Sequence, residues 1–244
     1  MPLHYARTLT AQARTRRANA HLGLFLAFVA GAINAGGFLA VHQYTSHMTG
    51  IVSNAADNLA LGAADLVLDA FGALLCFLLG AACTAVMVNH ARRRKLASEY
   101  ALPLLLEAVL LLVFGMLGAR LSAVDGLFVP ATVMLLCFMM GLQNALVTKL
   151  TRAEIRTTHM TGIVTDIGIE LGRLAYRNAD TARLALLGGL LASFFVGGVL
   201  GALGFRHVGW MATVPLAVLL VLLAIVPALD DLRPVLRCLA RRPR

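Results

Sequence analysis

Two short segments of the chain combine hydroxyl, imidazole and amide side chains around a glycine. His47–Gly50 and His159–Gly162 both have the sequence HMTG, and Ser or Thr residues directly precede each of them. Hydroxyl residues before a helical pattern predict a helix N-terminus that a Ser or Thr oxygen caps. The N–H groups and the positive dipole end of such a terminus attract anions and polar groups. The two segments are therefore the first candidates for a solute-binding site.

The predicted binding residues lie in these segments and in two apolar stretches of the chain. An amide side chain is costly in lipid, so an amide inside an apolar stretch is a functional candidate. The set comprises Asn34, His47, Thr49, Gly50, Asn54, Gln143, Asn144, His159, Thr161, Gly162 and Asp166. The two glycines would permit tight turning and the close approach of a solute. The asparagines within the apolar stretches could instead stabilise the packing of neighbouring helices through interhelical hydrogen bonds.

Three carboxylates are candidates for carrying a proton. Glu107 lies within an apolar stretch, whereas Asp57 and Glu170 belong to the two short polar segments. A carboxylate in lipid has to be neutral, paired or facing water. Each of these residues could therefore bind and release a proton during a coupled process, or could simply pair with a polar neighbour.

Metal binding and catalysis find little support in the sequence. The matched residues His47 and His159 could form a two-histidine site, but two imidazoles without a cysteine bind metal weakly. Helix capping or hydrogen bonding to the Thr-rich turn is the favoured role for them, and pH sensing is an alternative. The chain has no HExxH, GxSxG or CxxC motif. We therefore predict no metal, no cofactor, no catalytic residue and no enzymatic activity.

The elements that position these residues have to be membrane helices. Hydrophobic residues make up 59% of the 244 residues and charged residues 14%, against about 45–50% and 25% in soluble domains. A helix of about 20 apolar residues spans a bilayer. We predict an all-α integral membrane protein with six spans. They are Leu22–Val41, Leu66–Val88, Ala101–Ala119, Leu127–Thr148, Leu184–Gly204 and Trp210–Leu229.

The positive charges predict how the chain is oriented. With six spans, 19 of the 21 Lys and Arg residues fall on the side of the two termini, and only Arg120 and Arg206 fall on the other side. The positive-inside rule then places both termini in the cytoplasm. Basic runs separated by apolar stretches also argue against nucleic-acid binding. If the short segments 49–62 and 161–172 spanned too, this asymmetry would be lost, so each is predicted to enter and leave on one side.

The order of motifs occurs twice along the chain. Gly31-x-x-Asn34-Ala35 and Gly141-x-x-Asn144-Ala145 each precede an HMTG segment, and two further spans follow in both cases. Because each copy contains three spans, an odd number, the second copy should be inverted relative to the first. The predicted divisions are a basic cytoplasmic N-terminus at 1–20, the first repeat at 21–120, the second repeat at 127–229 and a basic cytoplasmic tail at 230–244.

These paired Gly-x-x-Asn-Ala and Met-Thr-Gly motifs, one pair in each half of the chain, resemble those of the YoaK family of six-span bacterial inner-membrane proteins. The resemblance covers roughly residues 20–230. In many relatives Asn follows Met-Thr-Gly, whereas Ile51 and Ile163 take that place here. The resemblance implies the membrane location and the number of spans. It implies no activity, because the family is a domain of unknown function.

The inverted repeat and the paired segments together predict a secondary transporter or facilitator for a small polar solute. The helix N-termini favour an anionic one. The solute would bind at the repeat interface near the bilayer midplane, between two re-entrant helices whose N-termini approach each other. Alternatively, the short segments are amphipathic helices at the two interfaces, or static packing in a non-transporting binding or assembly protein. A membrane-embedded enzyme is the less favoured alternative. Gly197-x-x-x-Gly201 predicts close helix packing, with homodimerisation as its alternative.

Overall fold

The computed structural model describes residues 16–41, 43–94, 96, 99–121, 125–150 and 158–225. The regular structure of this part of the chain is entirely helical, which confirms the predicted all-α class. The long helices are α1 (Arg16–Val41), α3 (Ala64–Arg93), α4 (Ala101–Leu121), α5 (Asp125–Leu150) and α7 (Thr181–Val208), and the short ones are α2 (Met48–Ala60) and α6 (Met160–Leu174). A 3-10 turn, Gly209–Ala212, follows α7. Residues 213–225 are again helical and form α8.

The long helices have the length and composition of membrane spans. Among the described residues, five helical stretches are long and apolar enough to cross a bilayer: Ala18–Leu39, Ala64–Arg93, Ala101–Gly118, Pro130–Lys149 and Thr181–Ile225. The fifth stretch is 45 residues long and contains α7, the 3-10 turn and α8. Of the predicted span Trp210–Leu229, residues 226–229 lie outside the described residues. The protein is thus a multi-pass membrane protein by the length and hydropathy of its helices.

Helices α1 and α5 lie at the centre of the bundle and α3 lies at its periphery. In their apolar segments 61% of α1 and 56% of α5 is buried, against 22% of α3. The exposed side of α3 carries large apolar side chains such as Leu68, Phe71 and Val86. Soluble proteins rarely expose an apolar surface of this extent. This face of α3 is therefore expected to contact lipid.

Helix α1, from the first repeat, packs most closely against α7, from the second repeat. Glycine allows the two backbones to touch. A methyl group at Gly31 would lie 2.0 Å from the carbonyl oxygen of Phe194, and one at Gly197 would lie 2.0 Å from that of Phe28. Gly201 continues this contact, because a methyl group there would lie 2.5 Å from the Cα of Ala32. The Gly-x-x-x-Gly motif is thus used within one chain, as its packing interpretation predicted.

The same contact recurs between α3, from the first repeat, and α5, from the second. A methyl group at Gly141 would lie 2.0 Å from the carbonyl oxygen of Phe77, and one at Gly80 would lie 2.0 Å from that of Phe138. Thr84 strengthens the pair, because its hydroxyl donates to the carbonyl oxygen of Leu142 at 2.9 Å. In both pairs, therefore, a helix of the predicted first repeat packs against a helix of the predicted second repeat.

The two short helices each lie against one of these pairs. Helix α2 packs on α3, and helix α6 packs on α7. Ile51 and Ile163, which take the place of Asn after Met-Thr-Gly, are 3% and 5% exposed. An apolar side chain at this position therefore fixes each short helix to its neighbours.

Candidate functional site

A cavity of about 820 Å³ lies where the first turns of α2 and α6 meet the long helices. Its lining consists of six pairs of residues that match between the two repeats, together with Tyr44 and Thr148. The pairs are Asn34 and Asn144, Ser46 and Thr158, His47 and His159, Met48 and Met160, Thr49 and Thr161, and Phe77 and Phe194. Both repeats therefore contribute the same chemistry to one space. No Asp, Glu, Lys or Arg belongs to the described lining.

Two matched hydrogen bonds hold the asparagines of the cavity wall. The Ser46 hydroxyl donates to Oδ1 of Asn34 at 2.9 Å. In the other repeat, the Thr158 hydroxyl donates to Oδ1 of Asn144. Because each amide oxygen accepts a hydroxyl proton, the amide nitrogen is the group that each asparagine can offer to an acceptor in the cavity.

These hydrogen bonds determine where the short helices begin along the axes of the long helices α1 and α5. Asn34 lies seven residues before Val41, the last residue of α1, which corresponds to about 10 Å along the helix axis. Asn144 lies six residues before Leu150, the last residue of α5, or about 9 Å. Since Ser46 is bonded at the level of Asn34, the chain turns back along α1 by that distance before α2 begins. Both short helices therefore start beside the long helices and not at their ends.

The caps of the short helices differ from the sequence prediction. The N-cap residues are His47 and His159, and neither side chain makes a capping hydrogen bond. The predicted Ser or Thr cap is wrong because the neighbouring hydroxyls are turned toward Asn34 and Asn144 instead. The first-turn N–H groups thus receive no side-chain cap from the described residues. Met48 and Thr49 of one first turn, and Met160 and Thr161 of the other, line the cavity.

The glycines of the two HMTG segments lie beneath the imidazoles. A methyl group at Gly50 would lie 2.5 Å from Nδ1 of His47, and one at Gly162 would lie 2.3 Å from Nδ1 of His159. Neither glycine is among the residues described as lining the cavity. Glycine is needed here because any larger residue would collide with the ring that folds back over the first turn. This contact accounts for both glycines without the solute contact suggested by the sequence.

Three other predicted binding residues are also absent from the described lining of the cavity. Gln143 is fully buried, and its Nε2 donates to the carbonyl oxygen of Leu26 at 3.2 Å, which joins α5 to α1. Asn54 is exposed and accepts hydrogen bonds of 2.8 Å from the Asn58 amide, one turn later. Asp166 pairs with Arg183. Each of these side chains is held by a neighbour, so none of them is placed to contact a solute in this conformation.

The carboxylates suggested as proton carriers occupy three different environments. Asp57 is exposed on α2. Glu170 is 1% exposed, and it pairs with Arg173 at 2.8 Å and with Arg183 at 3.6 Å. Glu107 is fully buried in α4, and neither of its oxygens has a hydrogen-bond partner among the described residues. None of the three is in the described lining of the cavity.

Some lining residues were not predicted, and a sequence signal exists for the most informative of them. Phe77 and Phe194 form one of the matched pairs in the lining. Each is the first residue of a Phe-x-x-Gly pattern, at Phe77–Gly80 and Phe194–Gly197, and the same pattern occurs in α1 and α5. Four occurrences in the four long helices that pair by glycine contacts would have indicated both the pairing and the aromatic lining. Within the described residues, no group of three or more His, Cys, Asp and Glu side chains is placed to hold a metal ion.

Comparison with known proteins identifies the family. Residues 22–226 match the family described as "protein of unknown function (DUF1275)", and the chain belongs to that family. Neither the curated proteins nor the solved structures include a match to the chain. The matched region contains the whole cavity lining.

Proposed function

We propose that this member of the DUF1275 family is a secondary transporter or facilitator that binds a small polar solute in the 820 Å³ cavity. One observation carries the proposal: six residue positions from each repeat line the same cavity in matched pairs. Transporters built from inverted repeats bind their substrates at such a repeat interface, between discontinuous helices. A non-enzymatic role is part of the proposal.

Six spans and an inverted repeat are also proposed. The stretch Thr181–Ile225 has 45 residues, which as a single helix would extend about 67 Å, or about twice the hydrocarbon thickness of a bilayer. Gly209 ends α7 with a φ of 59°, and the 3-10 turn follows it. A chain reversal at this turn makes α7 and α8 two spans, and hence three spans in each repeat. The reciprocal pairing of α1 with α7 and of α3 with α5 is what a two-fold axis between inverted repeats would produce.

Re-entrant short helices fit the starting position of α2 and α6 along the long helices better than interfacial ones do. A helix lying in the membrane surface would begin near the end of the preceding span. Here Ser46 and Thr158 are bonded about 9–10 Å back from the ends of α1 and α5. Together with the charge asymmetry of the loops, this position supports a proposed topology with α2 on the outer side and α6 on the cytoplasmic side. The YoaK-like motifs support a bacterial inner membrane as the proposed location.

The lining favours a neutral or anionic solute over a cationic one. It offers amide, hydroxyl and imidazole groups together with the first-turn N–H groups of two helices, and the described lining contains no carboxylate. Helix N-termini favour negative charge. Met48, Met160, Phe77 and Phe194 add apolar surface that suits a short carbon skeleton. A small metabolite with one carboxylate or another acceptor-rich end matches this combination.

The test begins with purified protein and a panel of small carboxylates, amides, amino acids and sugars. Compounds that raise the melting temperature are then assayed for uptake into proteoliposomes. We expect Thr49→Val and Thr161→Val to lower uptake by about two- to tenfold each, because one hydrogen bond to the solute is lost at constant side-chain shape. Thr165→Val is the matched control, since the Thr165 hydroxyl donates to the Thr161 carbonyl of its own helix at 2.8 Å.

Two outcomes would contradict the proposal. If a stable Thr49→Val or Thr161→Val variant transported as fast as the native protein, these hydroxyls would have no part in binding. If no compound stabilised the protein or crossed the membrane, static packing in a non-transporting assembly protein would become the better explanation.

A further inference from the structure

Three helices form what we call the first cross-repeat bundle: α1, α6 and α7. The glycine contacts join the backbones of α1 and α7. Helix α6 is tied to the start of α7 by Glu170, which pairs with Arg183 and accepts a hydrogen bond from the Asp180 backbone N–H at 3.1 Å. Asp166 adds a second pair to Arg183 at 3.1 Å. Because the Glu170 carboxylate is buried and paired, α6 is expected to move together with α7.

The second cross-repeat bundle consists of α2, α3 and α5. The glycine contacts join α3 and α5. An apolar cluster, separate from the main core, joins all three helices; it comprises Ile51, Ala70, Ala73, Val133 and Cys137. The Cys137 thiol also lies 3.5 Å from the carbonyl oxygen of Thr45, just before α2. This small cluster joins the three helices of the bundle to one another, and α5 in addition contributes Leu136, Met139 and Met140 to the main core that it shares with α1 and α7.

The cavity lies between the two bundles, and hydrogen bonds cross from one to the other at its walls. Asn34 belongs to the first bundle and accepts from Ser46, which leads into α2 of the second. Asn144 belongs to the second bundle and accepts from Thr158, which leads into α6 of the first. Neutral hydrogen bonds of this kind exchange readily with water or solute. Backbone contacts at glycine, in contrast, cannot open without loss of packing.

We propose that the moving parts of this protein are the two cross-repeat bundles and not the two sequence repeats. The Asn34–Ser46 and Asn144–Thr158 bonds are the latches that close the cavity toward opposite faces of the membrane. The inference rests on the proposed transport function and adds its mechanism. The bundles rock about the contact between α1 and α5, where Gln143 donates to the Leu26 carbonyl.

The proposed topology assigns a face to each latch. If α1 runs from the cytoplasm outward, Asn34 lies in its outer half, so the Asn34–Ser46 latch closes the outer side. Helix α5 then runs inward, and Asn144 lies toward its cytoplasmic end. Loss of one latch should therefore expose the cavity on that side only.

The test measures access to the cavity and needs no solute. A reporter cysteine, Thr49→Cys, is labelled with a membrane-impermeant charged maleimide in right-side-out and in inverted vesicles, and labelling of the chain without the reporter is subtracted. We expect Ser46→Ala to raise the labelling rate from outside, and Thr158→Val to raise it from the cytoplasmic side, by about two- to tenfold. The hydroxyl-preserving swaps Ser46→Thr and Thr158→Ser should label like the native protein.

A covalent version guards against variants that fold poorly. Asn34→Cys with Ser46→Cys, oxidised to a disulfide, should block labelling of the reporter from outside and leave labelling from the cytoplasmic side. The latch assignment would be wrong if both substitutions raised labelling from the same face, or if neither changed labelling. This holds even if a transported solute had been found. Opposite shifts in sidedness without any transported solute would support the latches and count against transport.

Discussion

The backbone contact at Gly197, one of four equally close glycine contacts among the described residues, predicts the effect of a single added methyl group. The methyl group of Gly197→Ala would lie 2.0 Å from the Phe28 carbonyl oxygen and 2.8 Å from its carbon, whereas ordinary contact begins near 3.4 Å. Helices α1 and α7 would therefore have to separate by about 1 Å. Overpacking of this kind costs about 1–3 kcal/mol. The better helix propensity of alanine offsets about 0.5–1 kcal/mol of that cost.

The measurement is thermal unfolding of the purified protein in detergent. The midpoints of these two ranges leave a net loss of about 1 kcal/mol, which corresponds to a melting temperature about 2–4 °C lower for a chain of this size. Gly188→Ala is the matched control, because Gly188 lies in the same helix and a methyl group there would have no neighbour within 4 Å. We expect the control to leave the melting temperature unchanged or to raise it. Equal melting temperatures for the two variants would refute the packing argument.

Combined substitutions sharpen this test. Gly31→Ala strains the same pair of helices as Gly197→Ala, so one separation of α1 from α7 should relieve both, and their combined loss should be smaller than the sum. Gly80→Ala strains α3 and α5 instead. Its loss should add to that of Gly197→Ala within about 0.5 kcal/mol. The opposite pattern would show that the two pairs are not separate units.

Three further substitutions test buried and strained groups, with melting temperature as the measurement. Glu107→Leu should stabilise the protein by about 1–3 kcal/mol, because it replaces a buried carboxyl that has no partner among the described residues; a large loss would reveal an unseen partner. Glu170→Gln should lower the free energy of unfolding by about 1–2 kcal/mol, since it weakens a buried acceptor for half-exposed arginines. The substitution Asp57→Asn, at an exposed carboxylate, should change the free energy of unfolding by no more than about 0.5 kcal/mol. Gly50→Ala should lower the melting temperature, because the new methyl group meets the His47 ring. Adding His47→Ala removes that ring and should restore the melting temperature; a double variant that melts as low as Gly50→Ala alone would contradict the proposed contact.

The sequence predicted the positions of the helices well because apolar length is a local property. The HMTG motifs also located the starts of both short helices, at Met48 and Met160. Recurrence of the motif predicted that both copies would contribute to one site, and the cavity lining contains His47 and Thr49 together with their counterparts. These features depend on neighbouring residues or on the repeat itself, so they could be inferred without knowledge of the packing.

Hydrogen-bond partners could not be inferred in the same way. Gln143 and Asn144 are adjacent, yet the first points to Leu26 of α1 and the second lines the cavity. Successive residues of a helix point about 100° apart, and a span that is apolar all round does not show which side faces the site. The Ser46 hydroxyl likewise had a local role as a cap. In the folded protein this hydroxyl donates to Asn34 instead, a partner that only the tertiary structure brings close.

The reciprocal helix pairing also governs how this protein can be made. Helix α1 emerges from the ribosome 165 residues ahead of the helix against which it packs, counted from Arg16 to Thr181. The glycine face of α1 can form its native contact only after α7 has been synthesised. A chain that ended before α7 would lack the helix that packs on this face of α1, and a second molecule would have to supply it. Each half of the chain thus supplies a helix that the other half needs for its native packing.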